Sequence, residues 1–281
     1  MHKTTHARAV FLTSLAMIAF AGNSLLCRVA LKDTDIDAAT FTSVRLLSGA
    51  LMLWLIVRVH RDVGKGRGNT LSAVALFVYA AGFSFAYISL SAATGALLLF
   101  GAVQATMIGY GLWVGERFDK RQLLGLLLAL GGLVGLLLPG ISAPPLGGSL
   151  LMLLAGVAWG MYSLRGKGVG DPTAVTAGNF LRAVPFALVL SALMFQHVSF
   201  DKAGLWYAML SGAVASGLGY AIWYTALPLL RATVAATVQL SVPVIAALGG
   251  IAFLGEPLSL RLIAASIAIL GGIALVIRGK R

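Results

Sequence analysis

Acidic residues are scarce in this chain. Its 281 residues include 9 Asp and Glu against 21 Lys and Arg, a net charge of +12, and only 11% are charged. Soluble domains carry about 25%. The nine acids are Asp33, Asp35, Asp37, Asp62, Glu116, Asp119, Asp171, Asp201 and Glu256, and none lies at the centre of a long apolar run. The four histidines, His2, His6, His60 and His197, also avoid those centres. A proton relay inside a membrane normally uses a carboxylate or a histidine, so the sequence gives proton coupling little support. Cys27 is the single cysteine, which excludes an internal disulfide. No HExxH, GxSxG or GxxxxGK[ST] segment occurs, nor any pair of carboxylates within an apolar run. The usual groups of metalloenzymes, serine hydrolases and nucleotide-driven pumps are therefore missing. The expectation is a protein that is not an enzyme and holds no cofactor or metal.

What is present is apolar. Hydrophobic residues make up 59% and the mean hydropathy is +0.94. A soluble fold of this length has too little interior to hide that surface. Runs of about 20 apolar residues, the length that crosses a bilayer as a helix, recur throughout. The strict alternation of a barrel strand is absent. The chain is expected to be an all-α integral membrane protein with ten spans, at 9–29, 36–58, 71–91, 93–114, 120–139, 147–167, 173–196, 203–227, 232–254 and 258–278. The start, His2 to Ala21, imitates a signal peptide. It is read as the first span, because removing it would leave a first half that no longer mirrors the second.

Basic residues set the orientation. With the N-terminus inside, fifteen of the 21 Lys and Arg fall on inside segments and four on outside loops; Arg45 and Arg182 lie within spans. That bias places both termini in the cytoplasm. It also explains the net charge without nucleic acid as a partner. The location implied is a bacterial-type inner (plasma) membrane.

The chain also repeats itself. Residues 92–138 and 231–278 share one plan at a shift of 140 positions. Gly115-Glu116 matches Gly255-Glu256, and Gly131-Gly132 matches Gly271-Gly272. This divides the chain into 1–140 and 147–281, separated near Ala143-Pro144-Pro145. Five spans per half is odd, so the halves enter the membrane in opposite senses. Inverted 5+5 repeats build secondary transporters, with the substrate site at the midplane between the halves. One chain is sufficient for that architecture.

Polar and aromatic residues within spans are the candidates for a central cavity. They are Asn23, Arg45, Tyr79, Phe83, Tyr87, Gln104, Trp159, Tyr162, Asn179, Arg182, Tyr220, Trp223, Tyr224 and Gln239. Tyr79, Phe83 and Tyr87 share one helical stripe. Gly212, Ser216, Gly219 and Trp223 share another. Aromatics with a few polar groups suit a small amphipathic ligand, although such stripes also serve plain packing. Arg45 and Arg182 occupy similar places in spans 2 and 7. Each could grip a carboxylate or could tie down backbone carbonyls. Glu116 and Glu256 close spans 4 and 9, where each is expected to cap the helix that follows. Pro185 and Pro243 are expected to kink spans 7 and 9. Three GxxxG pairs, 111/115, 131/135 and 156/160, are candidate packing faces.

The two Gly-Glu corners, the Gly-Gly pairs, Val242-Pro243-Val244 and the placements of Arg45 and Arg182 together resemble the EamA family of the drug/metabolite transporter superfamily. The resemblance covers all ten spans. It implies spans 1–4 and 6–9 around a central cavity, with spans 5 and 10 peripheral. It also implies export of small metabolites by alternating access, with amino acids a leading class. The stretch Ala-Ala-Thr-Val-Gln239-Leu-Ser-Val-Pro243 looks closest to aromatic amino-acid exporters. Val103 departs from the family's usual proline. Two alternatives stay open: an exporter of drugs or other metabolites with proton coupling, and a non-transporting membrane scaffold with a tightly filled centre. The partners implied are a small-molecule substrate and membrane lipid.

Overall fold

The computed structural model describes residues 2–59, 66–115, 117, 119–140, 143–166, 171–230 and 238–278. Among these, all regular structure is helical. The helices are α1 (His2–Asp33), α2 (Ala38–Val59), α3 (Thr70–Tyr87), α4 (Ala92–Trp113), α5 (Lys120–Leu137), α6 (Leu146–Arg165) and α7 (Pro172–Leu193). Then follow the composite helix α8 (Lys202–Leu229), α9 (Ser241–Leu254) and α10 (Leu260–Arg278). All except α9 are long and apolar enough to cross a membrane, among the described residues. The expected start of span 9, residue 232, lies outside them. The protein is a multi-pass membrane protein.

Four of the nine acids sit where helices begin. Asp37, Asp119, Asp171 and Asp201 accept backbone N–H groups at the starts of α2, α5, α7 and α8. Asn69 and Ser91 do the same for α3 and α4. A side-chain oxygen at this position satisfies donors that the helix cannot.

Helices of one half pack mainly on helices of the other. Here α3 and α4 lie against α6, α1 lies against α8 and α9, α2 lies against α7 and α8, and α3 lies against α7. The remaining major pairs are α4 with α9 and α5 with α10. Exchanging each helix for its counterpart in the other half returns the same set of pairs. An inverted repeat with interlocked halves requires this.

The peripheral α5–α10 pair explains the repeated Gly-Gly. A Cβ at Gly132 would lie 2.8 Å from Ala268 Cβ, and one at Gly272 would lie 2.7 Å from Ala129 N. Gly131 and Gly271 face open space. Of the three GxxxG pairs, Gly156/Gly160 brings two helices together, with α6 pressed on Ala102 and Thr106 of α4.

Pro185 lies inside α7 on an exposed side. Helical bonding is interrupted at Leu240, so Pro243 occupies the first turn of α9. A first-turn residue has no intrahelical acceptor for its N–H, so proline is accommodated there without loss.

Candidate functional site

The aspartate caps fix how the halves correspond. Asp37 opens α2 and Asp171 opens α7. Counting from each cap, the buried face of α2 reads Thr42, Arg45, Leu46, Gly49 and Leu53; that of α7 reads Thr176, Asn179, Phe180, Ala183 and Ala187. At that register six buried positions coincide, Phe41/Val175, Thr42/Thr176, Arg45/Asn179, Leu46/Phe180, Gly49/Ala183 and Leu53/Ala187, while Ala38, Ala39 and Ala50 of α2 and Ala174 of α7 have no buried counterpart. By distance from the cap, Asn179 stands where Arg45 stands; by residue type, Arg182 does. Arg182 lies off the buried stripe and is exposed, and its guanidinium donates to the carbonyls of Arg67 and Gly178. This corrects its placement in the cavity: Arg182 ties the end of the α2–α3 loop to α7.

Arg45 lies at the opposite extreme, 1% exposed between the halves. Its Nη2 donates to Tyr79 Oη at 2.9 Å and its Nε to Ser216 Oγ at 3.4 Å. The guanidinium carbon sits 4.7 Å from the Phe83 ring centre and 5.1 Å from that of Tyr79. Nη1 is buried and has no hydrogen-bond partner. Asn23 joins the same group: it donates to Tyr79 Oη at 3.4 Å and accepts from Ser211 Oγ at 2.6 Å. Helices α1, α2, α3 and α8 thus meet at one polar knot around Tyr79 Oη.

An aromatic wall extends from this knot. Tyr79 packs on Phe83 and Phe83 on Tyr87, with ring centres 5.5 and 4.8 Å apart. Trp159 touches Tyr79 at 4.8 Å, Tyr220 at 5.0 Å and Tyr162 at 5.3 Å. Tyr220 and Trp223 meet Phe20, and Tyr220 also meets Phe180. Asn179 donates to Tyr162 Oη at 3.3 Å and accepts from Asn69 N at 2.9 Å. Ten candidate residues thus fall in one connected group: Asn23, Arg45, Tyr79, Phe83, Tyr87, Trp159, Tyr162, Asn179, Tyr220 and Trp223. Tyr224, half-buried on α8, adjoins the group through Thr176; Gln104, buried on α4, and Gln239, half-buried at the break before α9, stand apart from it.

Phe20, Phe180, Thr176 and Ser211 belong to the group but were not among the candidates. Ser211 was hidden by helix geometry. Residues Leu210–Leu218 form a π-helix inside α8. A π-turn aligns i with i+5, so Ser211 and Ser216 face the knot together, a pairing that α-helical spacing does not suggest.

At the outer end, by the charge-based orientation, Glu256 does cap a helix, but not the next one. Its Oε2 accepts from Ala92 N of α4 at 2.8 Å, and its Oε1 forms an ion pair with Arg28 Nε at 3.0 Å. Ser259 caps α10 instead. Arg28 also donates to the carbonyls of Tyr87 and Ile88. One latch therefore joins the outer ends of α1, α3, α4 and α9. Glu116, its expected inner equivalent, lies outside the described residues.

Comparison with known proteins agrees with this architecture. The model of the EamA-like transporter family matches twice, at residues 7–138 and 146–278. The chain belongs to the EamA-like transporter family. An uncharacterized protein of Pseudomonas aeruginosa is 62% identical over 271 residues, covering 96% of this chain and 94% of that one. An uncharacterized transporter of Archaeoglobus fulgidus is 27% identical over 266 residues, covering 88% of each. The uncharacterized transporter YoaV of Bacillus subtilis is 24% identical, covering 85% of this chain and 87% of that one. A solved crystal structure shares the fold, with a TM-score of 0.68 at 18% identity, covering 97% of this chain and 99% of that one.

In this EamA-like transporter the central aromatic rings are buried or half-buried and pack against one another. Two apolar recesses lie elsewhere, beside α5 and α10, lined by residues such as Ala105, Leu133, Gly135 and Ala264. Among the described residues, no group of His, Cys, Asp and Glu could hold a metal ion. Glu256 is the one buried carboxylate among them, and it lies at the outer latch, away from the knot.

Proposed function

We propose that this membrane transporter exports small metabolites, foremost amino acids including aromatic ones, by alternating access as a gradient-driven facilitator. The observation that carries the reading is the connected aromatic and polar group at the junction of the halves. It offers flat apolar surface for a ring and a few polar groups for a head, the composition of small-molecule sites. The position between inverted halves suits a site that each half can uncover in turn. The filled centre is then a closed arrangement, and substrate enters when the aromatic side chains change rotamer. The lack of a carboxylate or histidine in the described centre supports passage without proton coupling.

The test is counterflow of labelled amino acids into liposomes that contain only this protein. Uptake of aromatic amino acids should exceed that of the other amino acids, and an imposed pH gradient should leave accumulation unchanged. Equal, protein-independent uptake of every amino acid would sink the substrate assignment. Accumulation driven by the pH gradient would sink the facilitator mechanism.

A further inference from the structure

The mixed surroundings of Arg45 lack one component. An arginine at the centre of a membrane helix costs roughly 2.5–3.5 kcal/mol on insertion scales. Buried charges are normally paired. Arg45 is not: among the described residues the ion pair is Arg28–Glu256, at the outer latch. The partners of Arg45 are two neutral hydroxyls and two ring faces. Its Nη1 is buried and unpartnered.

We infer that Arg45 is the docking group for the carboxylate of a monoanionic or zwitterionic solute, with the rings of Tyr79, Phe83 and Trp159 receiving its flat apolar part. The guanidinium fork matches the two oxygens of a carboxylate. One carboxylate neutralises one arginine, whereas a dianion would leave a negative charge among aromatic rings. The free Nη1 supplies a donor that no protein group uses. This assignment rests on the proposed transport of amino acids but extends beyond it to any ring-bearing monocarboxylate.

The experiment compares acid and amide forms of one skeleton. Thermal stabilisation of the purified full-length protein is measured with phenylalanine against phenylalaninamide, and with 3-phenylpropionate against its amide. The wild type should favour each acid by about tenfold or more in affinity, the discrimination worth about 1.4 kcal/mol. Arg45→Gln should abolish the preference, and Arg45→Lys should retain part of it. A merely structural arginine would weaken acid and amide alike. Should Arg45→Gln not fold, the wild-type pairs and Arg45→Lys still decide the matter. Equal binding of phenylalanine and its amide overturns the role of Arg45 while leaving amino-acid transport standing. Arg45-dependent binding of 3-phenylpropionate alone sustains the role and overturns the amino-acid reading. No stabilisation by any of the four overturns both.

Discussion

The outer latch allows a sharp test, because Glu256 performs two separable jobs. Glu256→Gln keeps the shape of the side chain and one acceptor for Ala92 N, now at 2.8 Å. It removes the charge facing Arg28 Nε, at 3.0 Å, and the charge facing the start of α4. A hydrogen bond to a charged group contributes about 1.5–3 kcal/mol. A carboxylate at a helix N-terminus adds about 0.3–1 kcal/mol. The expected loss is therefore about 2–4 kcal/mol. Breaking a fully buried ion pair costs about 3–5 kcal/mol. The lower part of that range applies here, because Arg28 keeps its bonds to the carbonyls of Tyr87 and Ile88 at 2.8 and 3.0 Å. The measurement is reversible unfolding of Glu256→Gln, Arg28→Gln and the double variant in one detergent. The cycle should return a coupling of about 1–3 kcal/mol between the two sites. Losses that simply add, within about 0.5 kcal/mol, would refute the latch.

Other consequences can be read the same way. Gly156→Ala places a Cβ 2.5 Å from Ala102 Cβ and 2.6 Å from Leu99 O, so it should lose about 1–3 kcal/mol by overpacking. Gly131→Ala meets nothing within 4 Å and should be neutral or more stable by up to about 1 kcal/mol in the same unfolding assay. Gly255 has a φ of +61° and lets Glu256 N reach Gly250 O at 3.0 Å; Gly255→Ala should cost about 1–2 kcal/mol. Arg182→Gln removes donors to two carbonyls at an exposed site, so it should cost about 1 kcal/mol or less. Liposome uptake by that variant should stay at the wild-type level.

How much of this was readable in the residues depends on how far each feature reaches along the chain. Hydropathy runs and the repeated corners are local, and they reveal the helices and the inverted halves. The stripe of Tyr79, Phe83 and Tyr87 is local too, because α3 is a regular helix. The face of α8 was not readable, because a π-helix changes the spacing that relates Ser211 to Ser216. The partner of Glu256 was not readable either, since Ala92 lies 164 residues away and only packing of the halves unites them.

The two arginines, similar in sequence, differ in surroundings: Arg45 is buried between the halves and Arg182 is exposed on the carbonyls of Arg67 and Gly178. Asp37 stands as far before Arg45 as Asp171 stands before Asn179, and both Arg45 and Asn179 are buried. A cap fixes where a helix starts, hence which side of it each later residue occupies. On these faces one half presents a cation to the centre, Arg45, and the other a neutral amide, Asn179. In the proposed alternating-access cycle, a carboxylate docked on Arg45 would travel with α2, and the second half would move past it. Substituting Asn179→Arg should then disturb substrate binding more than Arg182→Gln, because the new cation would lie on the buried stripe beside Tyr162.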